Sequence, residues 1–416
     1  MVQGAVSQPA LLGGEPIRKR TFPGWPVWEK NDEAAWLQVL RSGKWYRGSG
    51  KAVDAFEAKF AAAMGVPHCL AVANGTSALM TALHGLDVQA GDEVIVPPYT
   101  FIATVNAVLS KSALPVFVDT DGESFQMDAS KIEPAITDRT VAVIPVHMAG
   151  AAANLDKVME VARRRKLKVL EDAAQAHLGE WRGRKLGTIG DAGTYSFQAS
   201  KNLNSGEGGA VLSSDSAFIE RCFAFHTNSS PRKGATVRPE QGANLRLTEF
   251  QATLLMSQME RLEAQAKMRD ANAEHLTKLL REIPGIRPAK IEDGCTRSAW
   301  HLFMLRYDAS QFAGLSRERF LKALSAEGIP CSSGYSPLNK QPFLENVFQT
   351  RGFQRLFSSE RLRQWREQNR CPVNDKLCTE GVWFTQTMLL GGREDMEQIA
   401  AAIAKIRSHA GALAKA

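Results

Sequence analysis

One residue of this sequence that could do covalent chemistry is a lysine in a polar loop. Lys201 lies in the stretch 194–210, where serine, asparagine and glycine are frequent. Most lysines are solvated surface charges, whereas a lysine in a desolvated pocket has a lowered pKa and can attack a carbonyl carbon. The residues that surround Lys201 therefore decide between these two interpretations.

Candidate phosphate ligands follow the first predicted strand. Gly75, Thr76 and Ser77 lie where this strand leads into a helix, so backbone N–H groups and the positive end of a helix dipole converge there. Ordinary N-capping by Thr76 or Ser77 is the alternative. The sequence contains neither a G-x-G-x-x-G loop nor a Walker lysine pattern, which excludes the commonest nucleotide-binding loops.

An acidic and an aromatic residue follow two other predicted strands. Asp172 follows the strand at 167–170; it is either a helix N-cap or a buried carboxylate, which needs a cationic partner. It could keep the ring nitrogen of a heteroaromatic cofactor protonated and so make the ring an electron sink. Phe101 could stack on such a ring or belong to the core. With Lys201 and the phosphate ligands, these residues predict a site for pyridoxal 5′-phosphate.

Alternating strands and helices must bring these residues together. The predicted strands are separated by helical patterns, as in a mostly parallel sheet covered on both faces. In such α/β folds ligands gather at the C-terminal ends of the strands. The strands are predicted at 69–73, 93–96, 114–118, 141–146 and 167–170.

Two domains are predicted, because 416 residues exceed the size at which single cores stop growing. A large cofactor-binding domain with an N-terminal arm covers 1–265, and a smaller C-terminal α+β domain covers 266–416. A long helical pattern spans the boundary. Helices are predicted at 31–41, 53–64, 249–281 and 395–407, and a further strand at 300–305.

Composition excludes several other classes of protein. The chain is 44% hydrophobic and 23% charged, as in ordinary globular proteins. Its net charge of +7 is spread along the sequence, so no nucleic-acid partner is predicted. The six cysteines form no C-x-x-C pair, which argues against zinc and a disulfide framework and favours the cytoplasm. No metal site, export signal or membrane span is predicted.

Several motifs follow one another in a characteristic order. They are Gly75-Thr76, Tyr99-Thr-Phe101, Glu171-Asp-Ala-Ala-Gln175, Ser196-Phe-Gln-Ala-Ser-Lys201 with Gly206-Glu-Gly-Gly209, and Asn244-Leu-Arg246 with Glu249-x-Gln251. This order resembles the DegT/DnrJ/StrS aminotransferases from about residue 12 to the C-terminus. The resemblance implies an α/β enzyme of fold type I that uses pyridoxal 5′-phosphate and works as a homodimer.

The resemblance also implies a role for each motif residue. Lys201 would bind the cofactor covalently and later move protons, and Asp172 would pair with the pyridine nitrogen. Gln175 would lie beside the 3-oxygen, and Phe101 would stack on the ring. The phosphate would be held by Gly75, Thr76, Ser77, Ser196 and, from the other subunit, Asn244.

The substrate is predicted from the same resemblance. Family members that act as sugar dehydratases carry a histidine in place of Lys201, so transamination is favoured over a dehydratase or lyase reaction and over a non-catalytic regulatory role. The blocks 42–50, 334–338 and 371–373 resemble the branch that aminates keto-sugars or keto-cyclitols, including glutamine:scyllo-inosose aminotransferases. The amino donor would be L-glutamine or L-glutamate.

Amphipathic aromatics and amides suit a polyhydroxylated ring, although each of them could equally serve packing alone. The candidates for the substrate pocket are Trp45, Tyr46, Tyr335 and Asn339. Many sugar-nucleotide enzymes have His-Tyr before a proline where this chain has Gly334-Tyr335. His147, at the end of a predicted strand, is either near the site or a structural residue, and His301 has no assigned role.

Overall fold

The fold is that of a computed structural model, which describes residues 7–238 and 240–415. In chain order the strands are β1 (His68–Val72), β2 (Glu93–Val96), β3 (Leu114–Phe117), β4 (Thr140–Val143), β5 (Lys168–Asp172), β6 (Glu180–Trp181), β7 (Arg184–Lys185), β8 (Ala192–Ser196), β9 (Gly209–Ser213), β10 (Ile286–Pro288), β11 (Cys295–Arg297), β12 (Leu302–Tyr307) and β13 (Gly381–Thr385).

The α-helices cover both faces of the main sheet and most of the C-terminal third. They are α1 (Lys30–Ser42), α2 (Ala52–Met64), α3 (Gly75–Gly85), α4 (Ile102–Ser110), α5 (Leu155–Arg165), α6 (Ser216–His226), α7 (Glu249–Arg281), α8 (Arg317–Ala326), α9 (Pro342–Phe348), α10 (Arg351–Leu356), α11 (Ser359–Gln368), α12 (Pro372–Glu380), α13 (Arg393–Ser408) and α14 (Ala410–Lys415). Short 3-10 helices occur at Ala10–Leu12, Ala129–Lys131, Glu133–Ala135, Met148–Gly150, Ala309–Phe312, Leu338–Lys340 and Met388–Leu390.

A seven-stranded sheet in the order β1-β9-β8-β5-β4-β2-β3 forms the centre of the molecule. The neighbouring pairs from β8 to β3 are parallel, and β9 is antiparallel to both of its neighbours. The predicted mostly parallel sheet is therefore confirmed. The C-terminal ends of its parallel strands lie at one edge, which is where this type of sheet places a ligand.

Apolar side chains cover the sheet on both faces. In β1, Leu70 and Val72 join the core under α3 to α6, whereas Cys69 and Ala71 face the core under α2 and α7. This division follows from the alternation of side chains along a strand. The first core also includes apolar residues of α9, α10 and α11, such as Phe348 and Trp365.

A second, antiparallel sheet has the order β10-β12-β13 and its own core with α8 and α13. The predicted helix 249–281 is confirmed at both ends, and Thr248 and Gln251 form its capping box. Residue 265 lies inside this continuous helix, so the proposed domain boundary remains a prediction. Within the described residues, no helix is both long and apolar enough to span a bilayer.

Candidate active site

The ends of strands in the main sheet and the first residues of the helices beside them surround a cavity of about 1030 Å³. Asp172 ends β5, Ser196 ends β8, and Gly75 begins α3. Phe101 is the N-cap of α4. All four line this cavity together with Lys201. Residues that are far apart in sequence are thus brought to one place by the parallel sheet.

Lys201 is an unusual lysine because it is largely removed from water. Burial lowers its pKa to about 8, and the nearby Asp172 carboxylate opposes this shift. Its backbone N–H donates to Gln198 O at 2.8 Å, which holds the lysine in a tight turn after β8. A lysine of this kind supplies a neutral amine near neutral pH, so it can act as a nucleophile and as a base.

Asp172 is a buried carboxylate with two donors from its own chain. Burial raises its pKa, while hydrogen bonds and the charge of Lys201 oppose the rise. Thr104 donates its hydroxyl to Oδ2 at 2.8 Å, and Ala174 donates its N–H to Oδ1 at 3.2 Å. These bonds fix the carboxylate, which can receive the protonated nitrogen of a heteroaromatic ring.

The start of α3 and the end of β8 form a cradle with no room for a side chain. A Cβ atom on Gly75 would lie 2.7 Å from Ser196 Cβ and 3.1 Å from its Oγ. Asn74 caps the helix, because its Oδ1 accepts the Ser77 N–H at 2.8 Å. The first turn of a helix leaves N–H groups without helical partners. Here they point at an anion site beside the Ser196 hydroxyl, which fits a phosphate group.

Two side chains that line the cavity suit the ring of the cofactor. Phe101 is 57% exposed despite its size, so a face of its ring is free for stacking. Gln175 Oε1 accepts the Ala149 N–H at 2.7 Å, which identifies the other atom of the amide, Nε2, as the donor. Nε2 lies 3.4 Å from the Tyr335 hydroxyl and can donate to an oxygen on the ring.

His147 supports this edge of the sheet from outside the cavity. It is fully buried, and its Nε2 lies 2.9 Å from Glu171 Oε2. Glu171 also accepts the N–H groups of Gly187, Ile189 and Gly190. The side chains of Glu171 and Asp172 point to opposite faces of β5. Of the two interpretations for His147, the structural one therefore holds.

The sequence-based candidates divide between those that line the cavity and those that do not. Tyr335 lines it, as do Gly75, Thr76, Ser77, Phe101, Asp172, Gln175, Ser196 and Lys201. Asn339 is not among the described residues that line the cavity. Its amide donates to Asn369 O at 3.0 Å, and its Oδ1 lies 3.4 Å from Asn374 Nδ2. Its hydrogen-bonding groups are used within this structural network.

Trp45, Tyr46 and Asn244 are exposed at the surface. Trp45 and Tyr46 are 51% and 58% exposed. Tyr46 forms an isolated β-bridge with Thr248, and Asn244 forms one with Thr227. Within the described residues of a single chain, none of these three side chains lines the cavity.

Several lining residues come from segments to which the sequence assigned no role in the site. Among them are Trp25, His301, Trp383 and Gln386. Trp25 belongs to the N-terminal arm and donates its indole N–H to Ala199 O at 2.9 Å, two residues before Lys201. The sequence predicted an N-terminal arm but gave it no role in the site. His301 directly precedes β12, Trp383 lies within β13 and Gln386 directly follows β13, and none of the motifs includes these residues.

The fold and the site define a fold-type-I enzyme that depends on pyridoxal 5′-phosphate. A family model described as the DegT/DnrJ/EryC1/StrS aminotransferase family matches residues 27–404. The chain belongs to this family and is an aminotransferase, which confirms the predicted cofactor and enzyme class.

Named relatives span nearly the whole chain. An L-glutamine:2-deoxy-scyllo-inosose aminotransferase of Streptoalloteichus tenebrarius is 37% identical and covers 97% of this chain and 98% of its own. An enzyme of the same name from Streptomyces fradiae is also 37% identical, with 98% and 100% covered. The crystal structure of 3-amino-5-hydroxybenzoic acid synthase has a TM-score of 0.84 at 31% identity, with 94% and 100% covered.

Proposed function

We propose that this enzyme transfers the amino group of L-glutamine or L-glutamate to the ketone of a keto-cyclitol or keto-sugar. The observation that carries the proposal is the buried Lys201 beside Asp172, in a chain that is 37% identical over nearly its full length to aminotransferases named for L-glutamine and 2-deoxy-scyllo-inosose. Tyr335 and Trp383 give the cavity an aromatic wall, which suits the C–H faces of a polyhydroxylated ring.

Each residue of the cavity has one proposed task. Pyridoxal 5′-phosphate supplies a carbonyl group and a protonated ring that accepts electrons. Lys201 would hold the cofactor covalently, and its free amine would take and return the proton at the substrate carbon. Asp172 would keep the ring nitrogen protonated, and Gln175 would donate to the 3-oxygen. Phe101 would stack on the ring.

The phosphate is bound by the cradle at the start of α3. Gly75 and Thr76 offer backbone N–H groups, and Ser77 and Ser196 offer hydroxyls beside them. The positive end of the helix dipole adds a favourable field. A phosphate held at this helix start would keep the cofactor in the cavity that Phe101 and Lys201 line.

The proposed assembly is a homodimer with shared active sites. Asn244, Trp45 and Tyr46 would reach the cavity of the other subunit, because they are exposed at the surface and lie outside the cavity of their own chain. The proposed compartment is the cytoplasm, where all six cysteines would stay reduced as the free thiols seen here.

Purified enzyme with bound cofactor tests this function. Glutamine or glutamate should convert the cofactor to its amine form, and a screen of inososes and keto-sugars should then yield an amino-cyclitol or amino-sugar. Borohydride should fix the visible absorbance band onto Lys201, and Lys201→Ala should abolish both the band and turnover. Full transamination by Lys201→Ala would refute the mechanism.

The same screen also tests the alternative reaction. A lyase or dehydratase would show the visible band and consume a nucleotide sugar without transfer of nitrogen from glutamine or glutamate. Formation of a 2-oxo acid equivalent to each amine produced would exclude that outcome, because it balances the nitrogen that leaves the donor.

A further inference from the structure

His301 lines the cavity that holds Lys201, although neither the sequence motifs nor the tasks proposed above use it. It directly precedes β12 and is only 6% exposed. Burial and the charge of Lys201 hold its pKa well below the usual value for histidine. The ring is therefore an uncharged imidazole at neutral pH, with one N–H donor and one acceptor nitrogen.

Contacts on the inner side of the ring decide which nitrogen carries the proton. Asn202 Nδ2 donates to Ala299 O at 2.7 Å, and a carbonyl oxygen can only accept. This contact sets the orientation of the Asn202 amide, so its Oδ1 is the atom 3.2 Å from His301 Nδ1. Because Oδ1 also only accepts, Nδ1 must carry the hydrogen. The remaining nitrogen, Nε2, is then an acceptor with a free lone pair.

This lone pair has no partner within the described residues 7–238 and 240–415, where no hydrogen bond reaches Nε2. Other polar residues of the wall, such as Ser332 and Thr385, carry hydroxyls that donate as well as accept. His301 can only accept on this side. It thus distinguishes a hydroxyl group from a C–H group or an ether oxygen at the same position.

We propose that His301 Nε2 accepts a hydrogen bond from one ring hydroxyl of the keto substrate, which makes His301 a specificity-determining residue. The inference rests on the proposed function, because it requires a polyhydroxylated ring in this cavity. Asn202 is the positioning residue that fixes the tautomer, and it directly follows Lys201 in sequence. The loop that carries the reactive lysine therefore also orients a group that recognises substrate.

Two substitutions test the acceptor Nε2 separately from the hydrogen bond between Nδ1 and Asn202. His301→Asn keeps an N–H donor for Asn202 Oδ1 and removes the acceptor on the cavity side. His301→Gln places an amide oxygen near the position of Nε2. With glutamine as donor, kcat and KM are measured for wild type and both variants on scyllo-inosose and on analogues that each lack one hydroxyl.

We expect His301→Asn to lower kcat/KM about tenfold on rings that carry the recognised hydroxyl. On the one analogue that lacks this hydroxyl, variant and wild type should be equal. His301→Gln should recover part of the loss. An equal loss on every ring, or no loss on any, would overturn the proposal. Failure of wild type to aminate any ring would instead refute the proposed function.

Discussion

At the scale of single residues, the site depends on two buried groups whose charges are both costly. Burial lowers the pKa of Lys201 to about 8 and raises the pKa of Asp172. Each group partly offsets the cost of the other, but neither is fully compensated without a ligand. In the proposed site, the cofactor would offset both costs, because it would consume the lysine amine and offer the carboxylate a protonated nitrogen. The folded protein without cofactor is thus destabilised at this site, and binding of the cofactor would remove that cost.

This cost predicts that Lys201→Met stabilises the enzyme freed of its cofactor at pH 7. The pKa of Lys201 falls from 10.5 to about 8 on folding, so the unfolded chain binds more protons between these values. Stability then rises with pH across that window, and the cost is fully present below pH 8. We expect roughly 1–3 kcal/mol more stability for Lys201→Met at pH 7, measured by urea unfolding.

The gain should shrink as the pH approaches 10. Lys278→Met serves as the control, because Lys278 is 69% exposed on the surface of α7. Its effect should stay within about 0.5 kcal/mol at every pH. A Lys201→Met protein less stable than wild type at pH 7 would show that burial of the lysine does not lower the free energy of unfolding.

Single residues were predictable where a local motif carries the chemistry. Asp172 and Gly75 each follow a predicted strand within a few positions, so the sequence pattern placed them at one edge of the sheet. Lys201 was singled out by its motif. Trp25 and His301 were not predictable, because they come from the N-terminal arm and the second sheet. Only packing between distant segments brings them to Lys201. Asn339 resembled a pocket amide but serves a structural network.

At the scale of elements, the cradle depends on how closely α3 approaches β8. A Cβ atom at residue 75 would lie 2.7 Å from Ser196 Cβ, which is closer than real side chains approach. Gly75→Ala should push the helix start away from the strand end and weaken binding of the phosphate. We expect at least about tenfold weaker cofactor affinity, measured by absorbance titration of the cofactor-free enzyme.

Gly352→Ala is the matched control for Gly75→Ala. Gly352 lies in α10, and a Cβ atom there would meet nothing within 4 Å. This substitution should leave cofactor affinity unchanged and stabilise the helix by about 0.5–1 kcal/mol. Unchanged affinity in Gly75→Ala would mean that the phosphate does not occupy the cradle.

Element ends were less predictable than element types. The strand predicted at 141–146 ends at Val143, and Pro145, which has no N–H for the ladder, follows two residues later. The strand predicted at 167–170 continues to Asp172, whose N–H donates to Pro145 O at 2.9 Å. Pairing with a neighbouring strand decides these boundaries, and a single sequence does not show which residues pair.

At the scale of the molecule, the chain ends tie the two cores together. Arg18 pairs with Asp395 in α13, and Lys405 and Glu327 form a buried pair at 3.0 Å. Glu327 also accepts the N–H groups of Ala10 and Ile17. The N-terminal arm therefore packs on the C-terminal core, and Trp25, farther along the arm, lies at the active site.

Exposed aromatic residues support the proposed dimer. Trp36, Trp45 and Tyr46 are 41%, 51% and 58% exposed, and the rings of Trp36 and Trp45 both contact Phe250. Together they form a patch next to the segment that carries Asn244. Exposed apolar groups of this kind mark interaction surfaces. A twofold dimer would present each patch to the other subunit.

Shared active sites predict that two inactive variants rescue each other. Lys201→Ala and Asn244→Ala should each be inactive or nearly so as homodimers. After unfolding and refolding of an equal mixture, half of the dimers are mixed, and one of the two sites in each mixed dimer is intact. Activity should therefore return to about one quarter of wild type.

The control mixture combines Lys201→Ala with Asp172→Ala. Both residues line the cavity of one chain, so every site of a mixed dimer keeps one of the two defects. No activity should return, and size-exclusion chromatography should show dimers in both mixtures. Recovery in the control as well would mean that subunits exchange whole segments. No recovery in either mixture, with dimers present, would place Asn244 in the site of its own chain or outside both sites.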